Sequence, residues 1–317
     1  MNKQWIKDFK NGDNISSYFG VLDKTVLKTR TDKNYIDLTL VDSSGAINAK
    51  IWDSVDQLQS AFEQGDAVAV NGQIVEYNNE LQLKVNQIRR VEKGIDEKYG
   101  FSYDELIPTT NKDIDKMWIA VKDIIESISN EYLEKLVMKI FTKYEEMIKK
   151  YPASMILHHA YRGGFLEHIF SMVNIADAVC GVYKNADRDL VITGVLLHDI
   201  GKLKELETGL TTSYSDEGNF IGHLVLGRDI VIEEISGIEN FPDMLRLKLE
   251  HIILAHQGKY EWQSPREPEF LEALIVYFID ELDTRVNQMK RDIEADKSDG
   301  NWTTKKNYFH RPLYKGE

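Results

Sequence analysis

The sequence predicts a multidomain α and β protein: a small five-stranded Greek-key β-barrel followed by an all-α helical bundle. Three observations carry that prediction. Apolar residues alternate with a two-residue period through the first 93 positions. They recur every three or four positions from residue 112 onward, and the stretch between has neither period. At 317 residues the chain has room for two cores of ordinary size.

The barrel elements follow in order. ISSYFGVLDKTVLKT (15–29) reads as a first strand. In NYIDLTLV (34–41), Ile36, Leu38 and Leu40 alternate with Tyr35, Asp37 and Thr39, the pattern of a half-buried strand. DSSG (42–45) supplies a turn, and AINAKIW (46–52) returns with Ile47, Ala49 and Ile51 on one face and Asn48, Lys50 and Trp52 on the other. SVDQLQSAF (54–62) has helical spacing behind a Ser54 cap. DAVAVNGQIVEY and ELQLKVNQIRRV, joined at Asn78-Asn79, complete five strands with one helix after the third. That order fits a barrel of the OB type, spanning residues 1–93.

Residues 94–111 hold Gly94, Gly100 and Pro108 and are expected to be a linker. The helical domain is expected over 112–295, with stretches such as EYLEKLVMKIFTKYEEMIKK, DLVITGVLLHDI and FLEALIVYFIDELDTRV. Residues 296–317 are read as a loosely structured tail.

Composition narrows the function classes. Apolar content of 42% and charged content of 29% describe a globular protein, and no run nears the ~18 apolar residues of a membrane span. The opening MNKQWIKDF lacks the apolar core of a signal peptide, so a cytoplasmic location without membrane attachment is expected. The single cysteine, Cys180 in IADAVCGVY, is expected to pack in a core. A net charge of −13 argues against a protein that grips nucleic acid over its whole surface. The charge is uneven: residues 1–94 hold 12 Lys and Arg against 13 Asp and Glu, and the remainder 27 against 39. An acidic second domain can still act on polyanions if bound cations reverse the local sign.

Seven of the eight histidines fall between positions 158 and 256. His168 stands beside Phe165, Ile169 and Met172 on the apolar face of its helix. His198 and Asp199 end an apolar run, where a buried carboxylate at a helix C-terminus is disfavoured unless a cation balances it. His223 follows a glycine in FIGHLVLG. LEHIILAHQG offers His251 and His256, which do not share a helical face; His256, at a helix end like His198, is preferred and His251 kept as the lesser candidate. Asp280 in YFIDELDTRV is the candidate on the buried side, with Asp283 at the surface or behind the ligands. Imidazole and carboxylate together suit Mn²⁺, Fe²⁺, Co²⁺ or Zn²⁺, and the lack of further cysteines argues against a thiolate zinc site.

This arrangement resembles the HD superfamily of metal-dependent phosphohydrolases, whose His…His-Asp…Asp signature matches His168, His198-Asp199 and Asp280. The resemblance implies an HD-domain helical bundle, with His223 and His256 as the additional ligands of two-metal members and Asp199 bridging. With the OB-like module in front, and with HHAYRGGFLEH (158–168) and IGHLVLG, nearly the whole chain is similar to the YhaM-type 3′-to-5′ exoribonucleases of Gram-positive bacteria. It departs from them at His256-Gln257-Gly258, where that family is expected to carry His-His-Gly.

The resemblance implies Mn²⁺-dependent release of nucleoside 5′-monophosphates from the 3′ end of single-stranded RNA, with Co²⁺, Fe²⁺ or Mg²⁺ as other metals, single-stranded DNA as another substrate and homo-oligomers compatible. His198, Asp199 and Lys202 are the expected catalytic residues, Lys202 reaching a phosphate oxygen. Arg162 and His159 are expected at the substrate, with His158 beside them, and Gly163-Gly164 leaves room for backbone approach. On the barrel, Tyr35, Lys50 and Trp52 are expected to stack and pair with the strand, beside Lys28, Arg30 and Lys33 in the preceding loop. Two other readings are a phosphohydrolase of a small nucleotide (a cyclic dinucleotide or (p)ppGpp) and a non-catalytic RNA-binding protein.

Overall fold

The computed structural model describes residues 4–29, 31–78, 80–155 and 159–316. The chain divides into two compact units, residues 1–109 with 208–213, and residues 110–207 with 214–317.

The first unit is built on β1 (Asn14–Lys28), β2 (Asn34–Asp42), β3 (Gly45–Ile51), α1 (Val55–Leu58), β4 (Ala67–Tyr77) and β5 (Glu80–Arg90). The strands close into a barrel in the order β1-β2-β3-β5-β4, and β4 pairs back onto β1. Only β3 and β5 run parallel, through Asn48–Lys50 and Gln82–Lys84. An irregularity at Val21/Asp23 lets the long β1 bend so that its two halves serve different neighbours. Ile36, Leu38 and Leu40 point inward with Ala49, Ile74, Leu83 and Phe19, as the two-residue period predicts. Asp42 holds the β2–β3 turn by accepting from the Ser44 backbone N–H at 2.7 Å and from that of Ile6 at 2.9 Å.

Two local expectations change. The helix expected over 54–62 is a single turn, and Ser54 is no cap: it sits at φ 56° and makes no side-chain hydrogen bond to the turn. Phe62, expected on that helix, is fully buried in the barrel core instead. The stretch read as a linker is ordered by its own contacts. Phe101 and Leu106 are buried against Ala67 and Val91. Asp96, 1% exposed, accepts two bonds from Arg89 at 2.7 and 2.6 Å, one from the Glu92 backbone at 2.8 Å and one from Tyr18 at 3.0 Å.

The second unit holds α2 (Ile114–Glu126), α3 (Glu131–Lys150), α4 (Gly164–Val182), α5 (Arg188–Leu197), α6 (Lys202–Glu205), α7 (Asp216–Phe220), α8 (His223–Ser236), α9 (Asp243–Ala255) and α10 (Leu271–Ala295). Between α6 and α7 the chain forms a two-stranded ribbon, β6 (Leu206–Thr208) and β7 (Thr212–Tyr214), that the helical periodicity does not reveal; its residues 208–213 group with the first unit. Asp113, Asn130 and Asp187 cap α2, α3 and α5 by accepting backbone N–H bonds. Every residue of α5 from Leu190 to Leu197 is buried, which makes it the central helix, packed against α4, α3, α9 and α10.

Contrary to the sequence reading, α4, 19 residues long, is apolar enough to span a bilayer by length and composition alone. Its packing against α2, α3, α5 and α10 accounts for that hydropathy, and buried Cys180 lies on it as expected. The tail is tied down rather than loose: Asp296 accepts from Thr304 and pairs with Lys315, and Trp302 bridges to Tyr314.

Candidate metal centre

Five helix ends or faces of the second unit deliver polar side chains to one buried place. His168 lies in the second turn of α4, His198 closes α5, His223 opens α8, His256 closes α9, and Asp280 projects from the middle of α10. Asp199 sits in the tight turn between α5 and α6. Gly201 permits that turn to press on the start of α8, because a Cβ there would come within 2.0 Å of the His223 carbonyl oxygen. The HDIGK glycine thus brings Asp199 to His223.

Asp199 is the hub, and its two oxygens face different histidines. Oδ2 lies 3.3 Å from His198 Nε2 and 4.0 Å from His168 Nε2, while Oδ1 lies 3.4 Å from His256 Nε2 and 3.6 Å from His223 Nε2. Asp280 Oδ1 is 3.3 Å from His168 Nε2 and 3.9 Å from His198 Nε2. His168, His198, Asp199 and His256 are at most 3% exposed.

All four rings turn the same nitrogen inward because their Nδ1 atoms are engaged elsewhere. His198 Nδ1 donates to the Val195 carbonyl and His256 Nδ1 to the Ile253 carbonyl, each at 2.8 Å. His168 Nδ1 meets Asp283 at 2.8 Å, and His223 Nδ1 meets Glu205 at 2.9 Å. With Nδ1 engaged in this way, the neutral form of each ring carries its proton there and presents a lone pair at Nε2. Among the described residues, buried His198 Nε2 and Asp199 Oδ1 make no hydrogen bond. Ligand atoms of His168, His198 and Asp280, and of His198, Asp199 and His256, fall within 4.8 Å of one another. A donor set of imidazole nitrogens and carboxylate oxygens fits hard or borderline divalent cations.

The electrostatics agree. Burial works to raise the Asp199 carboxyl, but Lys202 and His198 hold it well below the usual carboxylate range. Burial likewise opposes ionisation of Asp283, yet His159 and His168 keep it low. Burial depresses His256, whereas Asp280 and Asp283 overcome the same effect at His168 and push it up to about 9.

The six residues expected as ligands therefore converge, and the expected alternative does not. His251 stands apart from the cluster: its Nε2 accepts the Glu269 backbone N–H at 3.1 Å and its ring packs on Phe270. His159, expected at the substrate, is 2% exposed and turns Nε2 onto Asp283 at 3.0 Å, so it braces the carboxylate behind His168. Gly163 and Gly164 are buried against Thr110 and His159 rather than left open for a substrate. Arg162 is half-buried on the same loop, and its carbonyl accepts from Thr110. His158 and Arg30 lie outside the described residues. Lys202 pairs with Asp199 rather than standing free. Gln257 places its amide 3.3 Å from His223 Nε2. Glu205 and the bracing role of His159 had no signal in the sequence; Asp283 had one, three residues after Asp280 on the same helix.

On the barrel, Tyr35 and Trp52 stack on each other at 4.7 Å and 22°, and Lys50 lies 5.0 Å from the Tyr35 ring while pairing with Asp37 at 3.3 Å. Trp52 and Lys33 line a groove of ≈330 Å³, and Lys28 pairs with Asp32 at 2.8 Å on the exposed surface.

Barrel and centre together define a class, an HD-domain metal-dependent phosphohydrolase that carries an OB-fold module. Family models agree unit by unit: "HD domain" matches residues 165–285 and "OB-fold nucleic acid binding domain" matches residues 21–91. A third model, for helicases, matches residues 107–187, a stretch without the Gly-x-x-x-x-Gly-Lys loop that cradles nucleotide phosphates. The chain belongs to the YhaM family of 3′-5′ exoribonucleases. It is 33% identical over 289 residues to the 3′-5′ exoribonuclease YhaM of Bacillus subtilis, covering 90% of each chain. It is 32% identical over 308 residues to that of Bacillus licheniformis, covering 96% of each. For Listeria monocytogenes serotype 4b the figures are 32% over 296 residues, 92% of this chain and 91% of the relative.

Proposed function

We propose that this chain shortens single-stranded RNA from its 3′ end, one nucleoside 5′-monophosphate at a time, with two divalent cations, Mn²⁺ foremost, held around Asp199. The observation that carries the reading is the division of labour at Asp199. Oδ2 faces His168 and His198, whose Nε2 atoms Asp280 Oδ1 also approaches, while Oδ1 faces His223 and His256. Such a bridging carboxylate between two nitrogen-rich half-sites suits a pair of ions rather than one.

Bound there, the ions supply an activated water and neutralise charge on the phosphodiester. The protein's own contribution is positional. Second partners on each imidazole fix the tautomer that leaves Nε2 available. Lys202, held on Asp199 Oδ2, adds a cation at the floor of the pocket where the phosphate binds. Gln257 stands beside the same ring in place of a further ligand, its amide 3.3 Å from His223 Nε2.

The barrel supports a strand-shaped substrate. The stacked Tyr35–Trp52 pair offers a base one composite aromatic surface instead of two separate rings, with Lys50 beside it for the backbone. Stacking of this kind is indifferent to sequence and suits single strands of RNA, with single-stranded DNA as a second substrate.

The test is a 5′-labelled oligoribonucleotide incubated with Mn²⁺. A ladder of 5′-labelled fragments shortened from the 3′ end is expected, and Asp199→Ala abolishes it. An unchanged ladder from the Asp199→Ala chain would falsify the assignment.

A further inference from the structure

The pocket above Asp199 and Asp280, ≈190 Å³ in volume, has a wall that the metal centre does not use. Trp262 and Tyr277 line it together with Lys202, His223 and His256. Tyr277 is 9% exposed and lies flat against the chain at Gly258, where a Cβ would approach its ring to 2.1 Å. Trp262 is different: it is 38% exposed and so contributes little to a core.

The loop that carries Trp262 is nonetheless built to hold it still. It begins at His256, and Gly258 bonds back to Ala255 at 2.9 Å. Trp262 closes a short turn onto Lys259 at 3.0 Å. The hydroxyl of Ser264, 3% exposed, then shares its one proton between the Arg266 carbonyl at 2.6 Å and the Leu254 carbonyl at 3.1 Å. The indole is also fixed by Arg285, whose guanidinium lies 5.7 Å from the Trp262 ring and 5.0 Å from Tyr308 and bonds to Glu281 at 2.6 Å. Exposed Lys259 places its ammonium 4.7 Å from the same ring. A half-open indole on an anchored loop, six residues from His256 and with cations 4.7 and 5.7 Å from its ring, is an arrangement for a flat ligand with a phosphate attached.

Resting on the exonuclease reading above, we infer that Trp262 stacks the base of the 3′-terminal nucleotide and thereby sets its phosphodiester over Asp199 and Asp280. A base laid on the ring replaces the Lys259 contact and turns that ammonium toward the phosphate. Because every base has a π-face, such a wall accepts whichever nucleotide arrives after each cut.

The experiment uses the full chain with Mn²⁺ and two RNA oligonucleotides that differ only in the 3′-terminal residue, adenosine or an abasic ribose. The wild type is expected to remove adenosine with kcat/KM about tenfold above that for the abasic residue. Trp262→Ala falls to the abasic level on both and keeps wild-type Mn²⁺ affinity and its thermal unfolding midpoint. Trp262→Phe retains most of the preference, which separates loss of the ring from loss of the loop. Trp262→Ala with an undiminished preference for adenosine overturns the inference. A wild-type chain that shortens neither oligonucleotide overturns the exonuclease reading beneath it, a distinct result.

Discussion

Lys202 Nζ lies 2.6 Å from Asp199 Oδ2, with the two side chains only 12% and 3% exposed. The buried carboxylate is thereby balanced by a cation from its own turn. Replacing Lys202 by Ala leaves that charge uncompensated, at a cost of about 3 kcal/mol in chelator-treated protein. Added Mn²⁺ is expected to restore most of the loss, since it supplies positive charge at the same carboxylate. Thermal unfolding with and without EDTA checks this; an equal shift in both conditions counts against the proposed metal centre.

Asp283 supports two rings at once, His168 Nδ1 at 2.8 Å and His159 Nε2 at 3.0 Å. Asp283→Asn is expected to weaken Mn²⁺ binding by roughly 10- to 100-fold while the chain still folds. Calorimetric titration with Mn²⁺ measures the loss. Unaltered affinity means that Asp283 does not orient His168.

The same pair sets a pH dependence. Burial would lower His168, but Asp280 and Asp283 push it up from 6.5 to about 9. Metal binding needs the neutral ring, so Mn²⁺ affinity rises with pH and levels off near 9, with proton release on binding at pH 7.5. For chelator-treated protein the sign reverses. The pair's stabilising effect is complete below about 6.5 and is lost as pH rises through about 9. Titrations in buffers of different ionisation enthalpy read the proton; a buffer-independent heat contradicts the prediction.

In the first unit the Asp96 carboxyl is held far below its usual range, chiefly by the Arg89 guanidinium and further by the Glu92 backbone N–H and Tyr18. A depressed carboxylate stabilises above its ordinary value of 3.8 and loses that effect as pH falls through its lower folded value. Asp96→Asn should therefore cost about 3 kcal/mol at neutral pH and much less in strong acid. Denaturant melts at pH 7 and pH 2 would show it. Parallel losses at both would assign the effect to packing.

Trp52→Ala removes one half of the stacked pair with Tyr35. KM for a long single strand should rise about tenfold with kcat little changed. A matched fall in kcat would place Trp52 in the chemical step instead.

Much of this centre was legible in the sequence. His168, His198, Asp199, His223, His256 and Asp280 are polar residues in apolar helical surroundings, and burial makes such residues conspicuous against their neighbours. Glu205 and His159 were not legible in their roles. A carboxylate in KLKEL or a histidine in a Gly-rich loop looks like ordinary surface until tertiary docking turns it inward. Ser54 failed for the opposite reason: its composition matched a cap, but the chain enters the left-handed region there and carries Phe62 into the barrel. Trp262 lay in a short irregular loop whose anchoring depends on Ser264 and Arg285, which no periodicity reports.

The four imidazoles are steered in two different ways. His198 and His256 are set by main-chain carbonyls three residues back, at Val195 and Ile253, whereas His168 and His223 depend on the single carboxylates Asp283 and Glu205. Each oxygen of Asp199 faces one ring of each kind. Each half of the centre thus couples an imidazole that no side-chain replacement behind it can rotate with one that such a replacement can turn. Metal preference can drift in either half by a change at position 283 or 205 alone, without disturbing the helices that hold the other half in place.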